Sequence, residues 1–456
     1  MIRSSYKLCR FPLESAQVCC CASLLFAIAF LGGCSNEIPY FRANLLEIEI
    51  EQDADEPVTE DQQQVIAETL LALFGSPDHP VNPFPGDPEI VAAPSPLEVF
   101  GFDVEKLKIA AGRAYRDAEG HQHGLFRLHC AHCHGITGGG DGPTAPFLNP
   151  YPRDYRQGVF KYKSTFGAAK STHDDLKRVL VKGVPGTSMP SFKLLPDNEI
   201  EALVEYVRYL SVRGETEIKL IEYVAAEGEM PGAITEIAGG FPLALDEEGI
   251  PEEEPEDENI VASVVAQWLD APTQIIRPVT PPINFLDPNP EQLSAAINRG
   301  EALFYSKNLQ CNSCHGDSAQ GDGQQDKYSI WFKWREDLNT NHDDPEEIVQ
   351  VVHQFMEVGA LKPRTVHPRN LRLGVYRGGR RPIDIYRRIY SGINGGPMPA
   401  QGTVRGIEGD AVPDKEAGGS IPRSQIWDVV SYVLSLPYEQ LSKGPVQREG
   451  SQFTPR

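Results

Sequence analysis

The chain has no cysteine to spare, few methionines and no surplus of positive charge. Nine cysteines occur among 456 residues, and all nine fall into groups with other readings, which excludes a disulfide-stapled scaffold. Five methionines leave few thioether groups of any kind. The formal net charge of −22 gives no basis for a nucleic-acid partner. The apolar run from Ala22 to Leu31 falls short of the ~20 apolar residues that a membrane-spanning helix needs. An uncleaved N-terminal anchor is the alternative reading of that run.

What is present begins with the leader. Cys9, Cys19, Cys20 and Cys21 lie in a segment with Arg3, Lys7 and Arg10 ahead of the apolar run, the pattern of a secretory signal. Cys34 follows Leu31-Gly32-Gly33, which resembles a bacterial lipoprotein signal and predicts an acylated cysteine as the first mature residue. The other four cysteines form Cys130-Ala131-His132-Cys133-His134 and Cys311-Asn312-Ser313-Cys314-His315. Cys-x-x-Cys alone also suits a thioredoxin-like site or half a zinc site. The histidine directly after the second cysteine makes each unit a haem-attachment motif, in which two thiols one helical turn apart bind the porphyrin and the histidine ligates iron.

Removing a leader with three basic residues and one acid brings the net charge to −24. The acid is unevenly placed: Glu47 to Asp61 holds eight acids, Asp246 to Glu258 nine, and neither holds Lys or Arg. Such runs predict solvated tethers. The expected organisation is a signal peptide at 1–33, an acidic tether at 34–100 and a first domain at 101–214. An acidic, Pro-rich linker at 215–290 with a short apolar helix around Val261 to Trp268, a second domain at 291–438 and a tail at 439–456 follow. Thr59-Glu60-Asp61-Gln62 predicts a capped helix running through Leu70, Leu71 and Phe74 to Gly75.

The two domains repeat one pattern. Asp141 lies eight residues after Cys133, and Asp322 eight after Cys314, each inside Gly-Asp-Gly. Pro152-Arg153-Asp154-Tyr155 in the first is matched by Pro368-Arg369-Asn370-Leu371 in the second, Met189-Pro190 by Met398-Pro399, and Tyr206-Val207 by Tyr432-Val433. Each domain therefore resembles a class I bacterial cytochrome c, and the pair resembles a tandem dihaem cytochrome c. The resemblance implies a mainly α-helical fold, two covalently bound haems c, His134 and His315 as proximal ligands, and Met189 and Met398 as distal ligands. Two departures stand out. The first domain carries an extra stretch at Asp117 to His123, and the second separates Asp322 from Pro368 by 46 residues where the first separates Asp141 from Pro152 by 11. Met356, His342, His353 and His367 lie in or beside that insertion as competing ligands for the second iron. In the first domain, His129, His132 and His173 are expected at the surface.

Arg153 and Arg369 suit haem propionates, because a planar guanidinium binds carboxylates bidentately. A solvated arginine in a turn is the plainer reading. Pro152 or Pro368 is expected to aim a carbonyl at the proximal histidine. Trp331 and Trp334 are read as core residues or as a shield for the second haem. Residues 101–215 hold 16 Lys and Arg against 13 acids, and Arg369 to Arg388 holds seven arginines against Asp384 alone. The expected partners are redox proteins that dock through an acidic surface. The expected role is electron transfer on the periplasmic side of a bacterial membrane, with the lipid on Cys34 as the tether. A dihaem peroxidase-like enzyme and a cytochrome subunit of a respiratory oxidoreductase or terminal oxidase are the alternatives.

Overall fold

The computed structural model describes residues 40–53, 57–83, 102–234, 237, 259–327, 345–402 and 421–438. The chain divides into a unit at 1–40, of which Tyr40 alone is described, and a unit at 41–456 that holds everything below. The fold is mainly α. Its only paired strands among the described residues are β1 (Tyr115–Arg116) and β2 (Gln122–His123), the extra stretch noted in the first domain.

One hydrophobic core is built on α7 (Asp197–Glu227). Ile200, Leu203, Val204, Val207 and Leu210 recur at helical spacing on its buried face. Against it lie α1 (Leu45–Ile50), α2 (Glu60–Phe74), α3 (Val104–Ala110), α6 (His173–Lys182) and α8 (Ile260–Leu269). The expected capping box of α2 is formed: Gln62 N donates to Thr59 Oγ1, and Thr59 N to Gln62 Oε1 at 2.8 Å. Leu70, Leu73 and Phe74 are buried, whereas Leu71 is exposed.

Three segments differ from the expected organisation. Helix α7 runs 13 residues past Gly214, the expected end of the first domain. It continues because its polar residues find partners inside. Glu215 meets Lys170 and accepts from Trp268 Nε1 at 2.8 Å, while Glu217 accepts from Arg213 Nη1 at 2.7 Å and from Asn44 N at 2.8 Å. In the expected linker, the short apolar helix read around Val261 to Trp268 is formed as α8, but it is no part of a tether, since it buries Ile260, Val261, Val264 and Val265 in this core. In the expected tether, α1 and α2 do the same with Ile48, Leu70 and Phe74. Side chains of this size stabilise by about 1.5–3 kcal/mol each when fully buried, which turns tether into structure.

A second core forms where α9 (Pro290–Phe304) crosses α13 (Arg423–Ser435), with α12 (Pro382–Ser391) alongside. Asn289 caps α9 through the N–H groups of Glu291 and Gln292, with Pro290 in the first turn. At the crossing, Gly300 lets the helices meet, since a Cβ there would collide with the Asp428 carbonyl. Arg299 grips the Asp428 carboxylate with Nε at 2.9 Å and Nη2 at 2.7 Å. The two cores touch through a bridge between Thr165 and Ile275 and through Phe166, whose ring lies 5.7 Å from that of Tyr390.

Inside the long insertion lies α11 (Pro345–Glu357). Phe355 and Ala360 pack with Leu46 and Ile50 of α1 and with Val159, so the insertion of the second half rests on the first.

Candidate haem sites

The first motif sits where α4 (Leu125–His129) passes into α5 (Ala131–His134), and the second forms α10 (Cys311–His315). Each histidine is oriented by one backbone carbonyl. His134 Nδ1 lies 2.9 Å from Arg153 O, and His315 Nδ1 lies 3.1 Å from Arg369 O. A carbonyl only accepts, so Nδ1 carries the proton and Nε2 keeps its lone pair for a metal. The carbonyl is thus that of the arginine and not of the preceding proline. The proline carbonyls turn elsewhere, Pro152 O toward Gly140 and Pro368 O toward Gly321.

Those glycines explain the shared loop. Gly140 N donates to His134 O at 2.9 Å, and Gly321 N to His315 O at 2.8 Å. Tyr155 N bonds Gly138 O, and its counterpart Leu371 N bonds Ala319 O. Burial lowers His134 to about 4 and also lowers His315, so both rings are neutral at ordinary pH and ready to ligate. Burial also pushes the Cys130 thiol up to about 12 and that of Cys311 to about 11. Reactive thioredoxin-type cysteines are shifted the other way.

The methionine loops repeat as well. Helix α6 ends at Gly183 (φ 64°) and α12 at Gly392 (φ 69°), and in each case the methionine comes six residues later. Val184 N donates to Met189 O, and Ile393 N to Met398 O, both at 3.1 Å. A Cβ at either glycine would run into the Met-Pro backbone. This glycine offset was present in the sequence and missed there. Both methionines are half-buried against their own cores. Of the competing ligands, Met356, His353 and His367 are exposed, and His342 lies outside the described residues.

A cavity of about 800 Å³ opens between His134 and Met189, within the usual range of about 300–1,000 Å³ for small-molecule sites. Cys130 and Cys133 line one wall, and Leu176, Leu180, Val204 and Val207 give it apolar faces. Tyr155 stacks on the His134 ring at 4.5 Å. These residues suit haem: two thiols at an edge, an oriented imidazole, a thioether and apolar walls. His129, expected at the surface, is half-buried in this lining and packs on Phe192, while His132 and His173 are exposed. Arg153 also lines the cavity, and burial drives its guanidinium well below its ordinary range. Arg369 donates Nε to Val375 O at 3.0 Å, and a Cβ at Gly186 of the Met189 loop would collide with its guanidinium.

The second half also walls this first cavity. Val358, Leu361, Arg364 and Val366 of the insertion line it, as does Arg377. Arg364 reaches Leu148 O at 2.5 Å and Pro146 O at 2.7 Å, and Tyr151 Oη donates to Lys362 O at 3.0 Å. The sequence signalled this roof only by the insertion's length. Trp331, Trp334 and Cys34 lie outside the described residues.

Residues 120–211 match the family model for cytochrome c. No curated protein matches the chain. Among solved structures, a chain of the Kuenenia stuttgartiensis reducing HAO-like protein complex Kustc0457/Kustc0458 is similar at 20% identity, with 69% of this chain and 94% of that chain covered and a TM-score of 0.39. The loop order around His134 and the family match agree, and the chain contains a cytochrome c domain, set in a mainly α-helical frame.

Proposed function

We propose that the protein is a dihaem cytochrome c that carries electrons between redox partners outside the cytoplasmic membrane, tethered by a lipid on Cys34. The observation behind the number two is the repeated geometry: two histidines each held by the carbonyl of an arginine, with two methionines each six residues beyond a helix-ending glycine. Haem bound at both motifs supplies two one-electron couples. Cys130 and Cys133, then Cys311 and Cys314, hold it covalently; His134 with Met189, and His315 with Met398, close the two axial positions. With both positions filled by the chain, no site is left for a substrate, which favours a carrier over a peroxidase-like enzyme. Arg153 and Arg369 are the propionate candidates. Attachment through Cys34 rests on the Leu31-Gly32-Gly33-Cys34 pattern. No helix among the described residues is long and apolar enough to cross a membrane.

Spectroscopy of the holoprotein tests this reading. The native protein should carry two covalent haems, both low-spin with sulfur ligation. Met189→Ala and Met398→Ala should each abolish one sulfur-ligated signal and lower one potential. A high-spin iron in the native protein, or a second centre indifferent to Met398→Ala, would return the peroxidase reading. Stable co-purification with an oxidoreductase would favour the subunit reading.

A further inference from the structure

One buried donor in the first cavity has no partner among the described residues. Arg377 belongs to the second half yet lines the cavity between His134 and Met189. Its Nε is buried and has no hydrogen-bond partner among the described residues. Leaving such a donor unsatisfied costs about 1–3 kcal/mol, more for a charged group. The residue is not loosely placed, because Arg388 donates to its backbone carbonyl.

The Tyr162 phenol, also in the cavity wall, feels Arg377, Arg153, Arg388 and Arg369 together. Two carboxylates of the cavity wall are already engaged, Asp154 with Arg156, and Asp175 with Arg178, Ser164 and Thr172. Two of these guanidiniums, those of Arg377 and Arg153, line a mostly apolar cavity and suit an anion with fork-like acceptors.

We infer that Arg377 of the second half binds the propionate carboxylates of the haem held by Cys130 and Cys133, together with Arg153 and the Tyr162 hydroxyl. This rests on the haem reading of the first site. The first cofactor is then held by both halves of the chain, and its potential is set partly by a residue 243 positions beyond its proximal histidine. A cation beside a propionate stabilises the reduced, less positive centre. Removing it therefore lowers the potential.

The test is a potentiometric titration of the full-length holoprotein, with the first centre identified by its loss of sulfur ligation in Met189→Ala. Arg377→Gln should shift the first centre's one-electron equilibrium roughly tenfold toward the oxidised form, about 59 mV. Its propionate bending modes in resonance Raman spectra should change, and the second centre should stay put. Arg377→Lys, which keeps the charge and loses the fork, should recover most of the potential. Unmoved potential and Raman modes in Arg377→Gln, or a lysine variant as low as the glutamine one, would overturn the inference. A native haem count of one would instead defeat the dihaem reading and leave this test of the first centre intact.

Discussion

The guanidinium carbon of Arg364 lies 4.1 Å from the ring centroid of Tyr151, and these two residues join the insertion of the second half to the haem-side loop of the first. The same arginine bonds two carbonyls of that loop. Charged hydrogen bonds contribute about 1.5–3 kcal/mol, and a cation over an aromatic face adds roughly 0.5–1. Arg364→Ala should therefore loosen the roof while leaving the helical cores intact. Hydrogen exchange should speed up at Leu148 to Tyr151 and along α11, with no change in α9 or α13. Equal protection in both proteins would show that the apolar contacts of Phe355 and Ala360 suffice by themselves.

Gly300 sets the approach of α9 to α13. A methyl group there has no room beside the Asp428 carbonyl, so Gly300→Ala must push the helices apart. The intrinsic gain in helix propensity, about 1 kcal/mol, opposes this. Overpacking of a rigid crossing costs about 1–3 kcal/mol and should win. The Arg299 fork on Asp428 would open at the same time. Thermal unfolding should show a lower midpoint for the variant, and an equal or higher one would mean that the crossing yields freely.

The two Cys-x-x-Cys-His motifs, the Gly-Asp-Gly loops and the Met-Pro loops were legible as a repeat in the sequence because each is a contiguous pattern in a matching order. What escaped depends on contacts between distant positions. Glu215, Thr216 and Glu217 look like the polar start of a linker. They are buried because Lys170, 45 residues earlier, and Trp268, 53 residues later, come to meet Glu215. The acidic composition around Glu47 hid α1 for a related reason: one apolar residue per turn is enough when a ready-made core lies beneath it. The roof was out of reach altogether, since Arg364 meets Leu148 across 216 residues through backbone carbonyls that any residue type provides.

Asp384 makes one part of the stability dependent on acid. Its carboxylate is buried, which alone would raise its pKa, but hydrogen bonds from Arg381 outweigh this and hold it below the ordinary carboxylate value. A depressed folded-state pKa means stability that is present above the unfolded value, about 3.9, and lost as pH falls through the folded value. Asp384→Asn keeps an acceptor for the Arg381 N–H at the start of α12 and removes the charge. Denaturant titrations should show the native protein more stable by a constant margin above about pH 5. That margin should shrink as the pH falls below the unfolded value. A margin independent of pH would assign the effect to shape and not to charge.

The arginine-rich segment bears on docking, and most of its guanidiniums face inward. Arg369 donates to Val375 O, Arg372 Nε to Ser318 O at 2.6 Å, and Arg387 Nε to Ile276 O at 3.3 Å. Arg388 serves the carbonyls of Arg377 and Gly379. Arg380 and Arg381 remain exposed. Arg381 is already tied to Asp384, so reversing it would damage α12 as well as the surface. Arg380 is the cleaner probe: its contacts are the hydroxyl of Tyr438, at 2.6 Å, and the face of that ring, both at the surface. If an acidic redox partner approaches here, Arg380→Glu should slow electron transfer several-fold at low ionic strength. Long-range steering as a whole is worth about 10–10³ in rate, and one reversed charge takes a part of it. The rate should also lose salt dependence, because salt screens the same attraction over about 10 Å at 0.1 M. Arg380→Gln should fall between the two, and haem spectra should not change in either variant. A rate and salt profile equal to the native protein's would place the partner on another face.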